Sequence, residues 1–131
     1  TSILCGFTIT GGTGTIVIPG LVRTGGGILC GNAGAKICHN RIVNNSVTYT
    51  NQASGGGIGA GPPTSTAFVV LENNLIQSNT TMGDEFAIAA GMYMVTNARI
   101  AGNRILDNIA SAVNQQAWGA GLASAAADSV I

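Results

Sequence analysis

The sequence predicts an all-β fold: a right-handed parallel β-helix, or β-solenoid, of about four coils with three short strands in each. Three observations predict it. A nine-residue block recurs four times along the 131 residues. A glycine-rich block follows each copy, and the two blocks advance together by roughly 29 to 34 residues. Neither block carries the period of a helical stripe or the strict alternation of one long strand.

The first block spans residues 4–12, 37–45, 71–79 and 100–108. Its last three copies read apolar, two residues, Asn, one residue, Ile, two residues, Asn. In the first copy Phe7 and Gly12 replace the two asparagines. Apolar residues five apart with an Asn between them fit a short strand, a bend at the Asn and a second short strand. The second block, Gly25-Gly26-Gly27-Ile28, recurs as Gly55-Gly56-Gly57-Ile58, Ala89-Ala90-Gly91-Met92 and Gly119-Ala120-Gly121-Leu122. Its glycines permit close backbone approach or positive φ, and its last residue points inward from a third strand.

Stacking like on like gives three inward columns: Leu4/Ile37/Leu71/Ile100, Ile9/Ile42/Ile76/Ile105 and Ile28/Ile58/Met92/Leu122. The columns Asn40/Asn74/Asn103 and Asn45/Asn79/Asn108 have the look of a catalytic or binding row. Their position at the bends assigns them instead to structural amide ladders, each side chain donating to the coil above and accepting from the coil below. The intervening segments read as loops. Pro19-Gly20 and Gly61-Pro62-Pro63 interrupt any ladder. Residues 82–90 hold Gly83-Asp84-Glu85 and are expected to project into solvent. Residues 110–117 are expected to form a helical turn or two, without convincing caps.

Composition narrows the function. Charged residues are only 8% and the formal net charge is zero, with Arg23, Lys36, Arg41, Arg99 and Arg104 scattered. No basic stripe tracks a nucleic-acid backbone, so no nucleic-acid partner is expected. Apolar content of 46% argues for a packed core. No run approaches the ~18 apolar residues of a membrane span. The chain starts at Thr1 with no charged n-region or apolar h-region, so a mature, processed or excised segment is expected.

Cys5, Cys30 and Cys38 do not form a disulfide framework, and none has metal-ligand spacing. Cys38-His39 lacks a second Cys/His pair, so neither a metal nor another cofactor is expected. Cys5 and Cys38 fall at equivalent positions of adjacent coils and are candidates for a disulfide, with stacked free thiols as the alternative.

Gly6-Phe7-Thr8-Ile9-Thr10-Gly11-Gly12, the Gly-Gly-Gly-Ile blocks and the Asn-x-Ile-x-x-Asn motifs resemble the right-handed parallel β-helix repeats of the pectate-lyase-like superfamily. They also resemble Gly-Gly-x-Ile repeats of bacterial surface and autotransported proteins. The resemblance covers essentially the whole chain and implies an extracellular or cell-surface setting with polysaccharide as a partner class. It specifies fold far more than activity. Lyases of the superfamily use an acidic Ca²⁺ cluster beside a basic residue, and hydrolases use closely set carboxylates. Here Glu72, Asp84, Glu85, Asp107 and Asp128 form no such set: Glu72 and Asp107 fall in different columns, and Arg104 with Asp107 reads as a surface ion pair. No catalytic residue is assigned. Tyr49, Tyr93 and Trp118 are candidate sugar platforms that share no column. Thr8-Ile9-Thr10 has the form of an ice-binding array, but its column partners, such as Arg41 and Val43, are not threonines.

The ends carry the remaining functional expectation. Four coils rise only ~20 Å at ~4.8 Å each, and both ends expose strand edges and a slice of core. No capping helix is evident at either end. Thr1 is in repeat register with Gly34, Phe68, Asn97 and Ala127, so the top of one copy could continue into the bottom of the next. Two readings follow: a structural subunit that stacks end to end through residues such as Ile3, Leu4, Val130 and Ile131, or a segment of a longer surface or polysaccharide-active solenoid.

Overall fold

The structure, a computed structural model, describes residues 2–61 and 66–125. Every regular element among them is a strand. The first coil holds β1 (Ser2–Cys5), β2 (Thr8–Ile9), β3 (Thr15–Ile18), β4 (Val22–Thr24) and β5 (Ile28–Cys30). The second holds β6 (Ala35–Cys38), β7 (Arg41–Val43), β8 (Ser46–Tyr49), β9 (Gln52–Ser54) and β10 (Ile58–Ala60). The third holds β11 (Phe68–Glu72), β12 (Leu75–Gln77), β13 (Thr80–Gly83), β14 (Phe86–Ile88) and β15 (Met92–Met94). The fourth holds β16 (Asn97–Ala101), β17 (Arg104–Leu106), β18 (Ile109–Ala112), β19 (Gln116–Trp118) and β20 (Leu122–Ser124).

Equivalent strands of successive coils pair in parallel, so the chain is a β-solenoid of about four coils. Three walls surround the main core: β1-β6-β11-β16, β2-β7-β12-β17 and β5-β10-β15-β20. Register places Leu4, Ile37, Leu71 and Ile100 in one column. Ile9, Ile42, Ile76 and Ile105 form the second, and Ile28, Ile58, Met92 and Leu122 the third. Members in the middle coils are fully buried, each contributing roughly 1.5–3 kcal/mol of transfer free energy. Leu4, Ile9, Ile28, Ile105 and Leu122 are only half-buried, because no described residue stacks on their outer side.

Three sharp corners of the coil are built on left-handed residues: from the first wall to the second, out of the second wall and into the third. Gly6, His39, Asn73 and Gly102 make one corner, Gly11, Asn44, Ser78 and Asp107 the next, and Gly25, Gly55, Ala89 and Gly119 the third, all with positive φ. The bend therefore falls one residue before each ladder asparagine and not on it. The asparagine's contribution is hydrogen bonding.

The coil has five strands where the sequence suggested three, and the two extra strands come from segments read as loops. Sheets β8-β13-β18 and β4-β9-β14-β19 pack on each other as an arm beside the three-walled core. Val47, Thr81, Ala53 and Ala87 are buried in the arm. Such small residues make a thin two-sheet layer, which explains why the segments lack the large apolar residues that announce a core. Residues 82–90 supply the end of β13 and β14, with Asp84 and Glu85 at the turn between them. Residues 110–117 pair in parallel with the third coil and form no helix, since alanine stacked on Ala87 or Thr81 fits the arm and tertiary packing overrides propensity.

The first coil departs from the others. It has no strand in the β8-β13-β18 sheet, and β3 folds back antiparallel on β4. Ile18-Pro19-Gly20-Leu21 makes the turn, with Leu21 N–H donating to Ile18 C=O at 3.0 Å and Gly20 at φ 73°. Pro followed by a positive-φ Gly is the signature of a type II turn. β3 therefore lies where a preceding coil's strand would pair with β4. Thr1, Pro62, Pro63, Asp128, Val130 and Ile131 lie outside the described residues, so the Gly61-Pro62-Pro63 loop and two of the expected assembly residues do too.

Candidate functional site

The asparagines form two continuous ladders. Asn74 Nδ2 donates to Ile37 C=O (2.9 Å) and to Asn103 Oδ1 (2.9 Å). Its Oδ1 accepts from the Asn40 backbone N–H (3.0 Å) and Asn40 Nδ2 (3.2 Å). Asn40 Nδ2 reaches Leu4 C=O, and Asn103 Nδ2 reaches Leu71 C=O. Asn45, Asn79 and Asn108 repeat the pattern on Ile9, Ile42 and Ile76 carbonyls. With these amides occupied by the wall backbones, the rows have little left to offer a ligand. In the first coil Phe7 and Gly12 offer only backbone N–H groups, to Asn40 Oδ1 and Asn45 Oδ1.

The first and last coils hold most of the large exposed apolar side chains. Among the described residues every large exposed hydrophobic side chain except Phe68 and Met82 lies in the first or last coil. Ile3, Phe7, Ile16, Val17, Ile18 and Leu21 belong to the first, and Leu106, Ile109, Val113 and Trp118 to the last. Leu4 lines the open end of its column, whereas Ile3 stands on the outer face of the first wall, in register with Lys36. At the upper face β16, β17, β18 and β19 are the last strands of their sheets among the described residues. The backbone N–H groups of Asn103 and Asn108 occupy the positions that, one coil below, receive an amide oxygen.

An outer groove of about 420 Å³ runs between the arm and the third wall. Val17, Ile18, Val22, Leu29 and Val95 give it an apolar lining, with Thr24, Ser54, Gln52 and Tyr93 as its polar groups. The Thr24 and Ser54 hydroxyls are buried without a hydrogen-bond partner. Burial pushes the Tyr93 phenol up, an effect partly offset by its hydrogen bond with Gln52. Tyr93 is thus the aromatic candidate that lines a cavity. Tyr49 is occupied elsewhere, its hydroxyl accepting the Gly20 N–H at 2.9 Å, and Trp118 lies tilted against Phe86 with ring centroids 5.8 Å apart.

The third cluster is on the outside of the first wall. Cys5 and Cys38 are register partners at the ends of β1 and β6, and both are free thiols. His39, on the following bend, puts Nδ1 3.6 Å from Cys5 Sγ. The three ligand atoms lie within 4.8 Å of one another. The hydrogen bond with Cys5, then burial, raises the Cys38 thiol above the ordinary range. The sequence alone pairs Cys5 with Cys38 and Cys38 with His39 separately. Only the left-handed backbone at His39, φ 53°, brings the imidazole beside Cys5 and joins the two pairs. Cys30 is apart, in the core, where burial raises its thiol as well.

The described carboxylates do not converge. Glu72, on the outer face of the first wall, is bridged by Lys36 (3.2 Å) and Arg99 (3.6 Å) from the coils on either side. The hydrogen bond and charge of Glu72 raise the Lys36 ammonium. Asp107 accepts from Gln77 Nε2 at 3.0 Å and makes no ion pair with Arg104, because its left-handed corner aims it at the coil below. No helix among the described residues is long and apolar enough to cross a membrane. No protein-family model, curated protein or solved structure matches the chain.

Proposed function

We propose that the chain is a structural building block that associates end to end with further copies of itself through its terminal coils. The observation that carries this reading is the concentration of exposed apolar side chains in the first and last coils. Half-open core columns accompany them at both faces, where, among the described residues, the sheets end. Arg23 is the one charged residue of the first coil, so little repulsion opposes contact there. Upper face on lower face is a head-to-tail contact that propagates without closing. It would extend the three walls by β-addition onto β1, β2 and β5.

The junction differs from the interior of a coil stack. Phe7 and Gly12 carry no amide, so both ladders stop there, and β3 offers an antiparallel edge in place of a parallel one. The assembly is therefore a series of discrete units. An extracellular setting and kinship with pectate-lyase-like or bacterial surface solenoids belong to this same reading. Sedimentation velocity over a concentration series tests it, comparing the parent with an Ile109→Glu/Val113→Glu variant of the last coil. The parent grows with concentration and the variant stays monomeric. A parent that is monomeric throughout removes the reading.

A second reading, a carbohydrate-binding segment of a larger solenoid, is favoured by the outer groove with Tyr93, Gln52, Thr24 and Ser54. Titration with neutral and acidic oligosaccharides, parent against Tyr93→Ala, tests it. Loss of a saturable signal in the variant supports it, and no signal in the parent excludes it.

A further inference from the structure

We propose that Cys5, Cys38 and His39 form a three-ligand site for a thiophilic cation of the Zn²⁺ type that clips the first coil to the second. The site is independent of end-to-end association. Its ligands are two sulfurs and one imidazole nitrogen, the donor set that soft and borderline cations prefer. In tetrahedral zinc sites Zn–S is about 2.3 Å and Zn–N about 2.0 Å, which sets an S···N edge of about 3.5 Å. The Cys5 Sγ to His39 Nδ1 separation is 3.6 Å. All three donor atoms lie within 4.8 Å, so one cation reaches them with side-chain adjustments of about an ångström or less.

The surroundings suit such a site. Cys38 forms a buried floor, while Cys5 and His39 are exposed and give the ion a way in. Three protein ligands leave one tetrahedral position for water. Glu72, the register neighbour of Cys38 in the third coil, is held by Lys36 and Arg99 and does not belong to the donor set. Binding replaces the two thiol protons, which pass to solvent, and two thiolates balance the two charges of the cation. The clip acts where the fold needs it. Among the described residues β1 is an edge strand with a partner on one side only, and Cys5 is its last residue.

The test uses the full chain, kept reduced, with Zn²⁺ followed by calorimetry and Co²⁺ as an optical probe. We expect one Zn²⁺ per chain, a thiolate-to-cobalt charge-transfer band, and a raised unfolding temperature with Zn²⁺. Cys5→Ala and His39→Asn each copy another coil, since Ala101 shares the Cys5 column and Asn73 holds the His39 corner with φ 55°. Both variants should fold, and each should weaken Zn²⁺ by more than the roughly 10- to 100-fold that loss of an outer-shell group causes. Cys30→Ala, which copies its register partner Ala60, should leave binding unchanged. The proposal is overturned if the reduced parent takes up no Zn²⁺. It is equally overturned if Cys5→Ala or His39→Asn binds as the parent does, or if Cys30→Ala abolishes binding.

Discussion

Asn74 shows at the scale of one residue how the corners are held. Its amide serves the coil below and the coil above at once, and the residue is fully buried. Asn74→Ala would orphan the Asn40 N–H, at roughly 1–3 kcal/mol, and remove the amide's bond to Ile37 C=O, at about 0.5–1.5 kcal/mol more. Urea unfolding should therefore show a loss of about 1.5–4.5 kcal/mol. Asn103→Ala, at the half-exposed end of the same ladder, should lose less. Backbone contact is as strict in the glycine corner. A Cβ on Gly91 would fall on the carbonyl oxygen of Gly121, and one on Gly57 would come within 2.6 Å of Gly91 C=O. Gly91→Ala should destabilise by at least about 1–3 kcal/mol, the range for overpacking, as read from the thermal midpoint. These columns were legible in the sequence, because a ladder repeats the same residue in three coils and a close approach repeats it in all four. The left-handed residues were not. Gly, His, Asn, Ser, Ala and Asp all occupy corners, so no single residue type marks them.

Among the elements, the hairpin of β3 and β4 and the two-sheet arm were the parts sequence reading mistook for loops. The arm is lined by Ala53, Ala87, Val47 and Thr81, and its strands are three or four residues long. Alternation between alanine and polar residues over so short a span gives almost no hydrophobic signal. The hairpin exists only in the first coil, so no repeat announced it. Its turn is tied to the second coil by the Tyr49 hydroxyl, which accepts the Gly20 N–H. Tyr49→Phe removes that bond and should lower stability by about 1 kcal/mol. The sharper readout is limited proteolysis: cleavage near Leu21 or Arg23 should accelerate in the variant while the walls stay protected. Equal cleavage rates would show that β3 is held by its pairing with β4 alone.

For the whole molecule, the distribution of apolar surface decides the functional reading. The middle coils are closed, with Phe68 and Met82 as their only large exposed hydrophobics among the described residues. Among the described residues the two terminal coils differ, the first being modified by Phe7, Gly12 and the hairpin. That difference was not legible in the sequence, because it depends on where β3 lies. In the proposed assembly it sets a head-to-tail contact, with one kind of face meeting the other. Electron microscopy of the purified chain from dilute to concentrated solution tests the proposed end-to-end association. Unbranched rods of constant width are expected, lengthening with concentration and disappearing in the Ile109→Glu/Val113→Glu variant. Single compact particles at every concentration would contradict it.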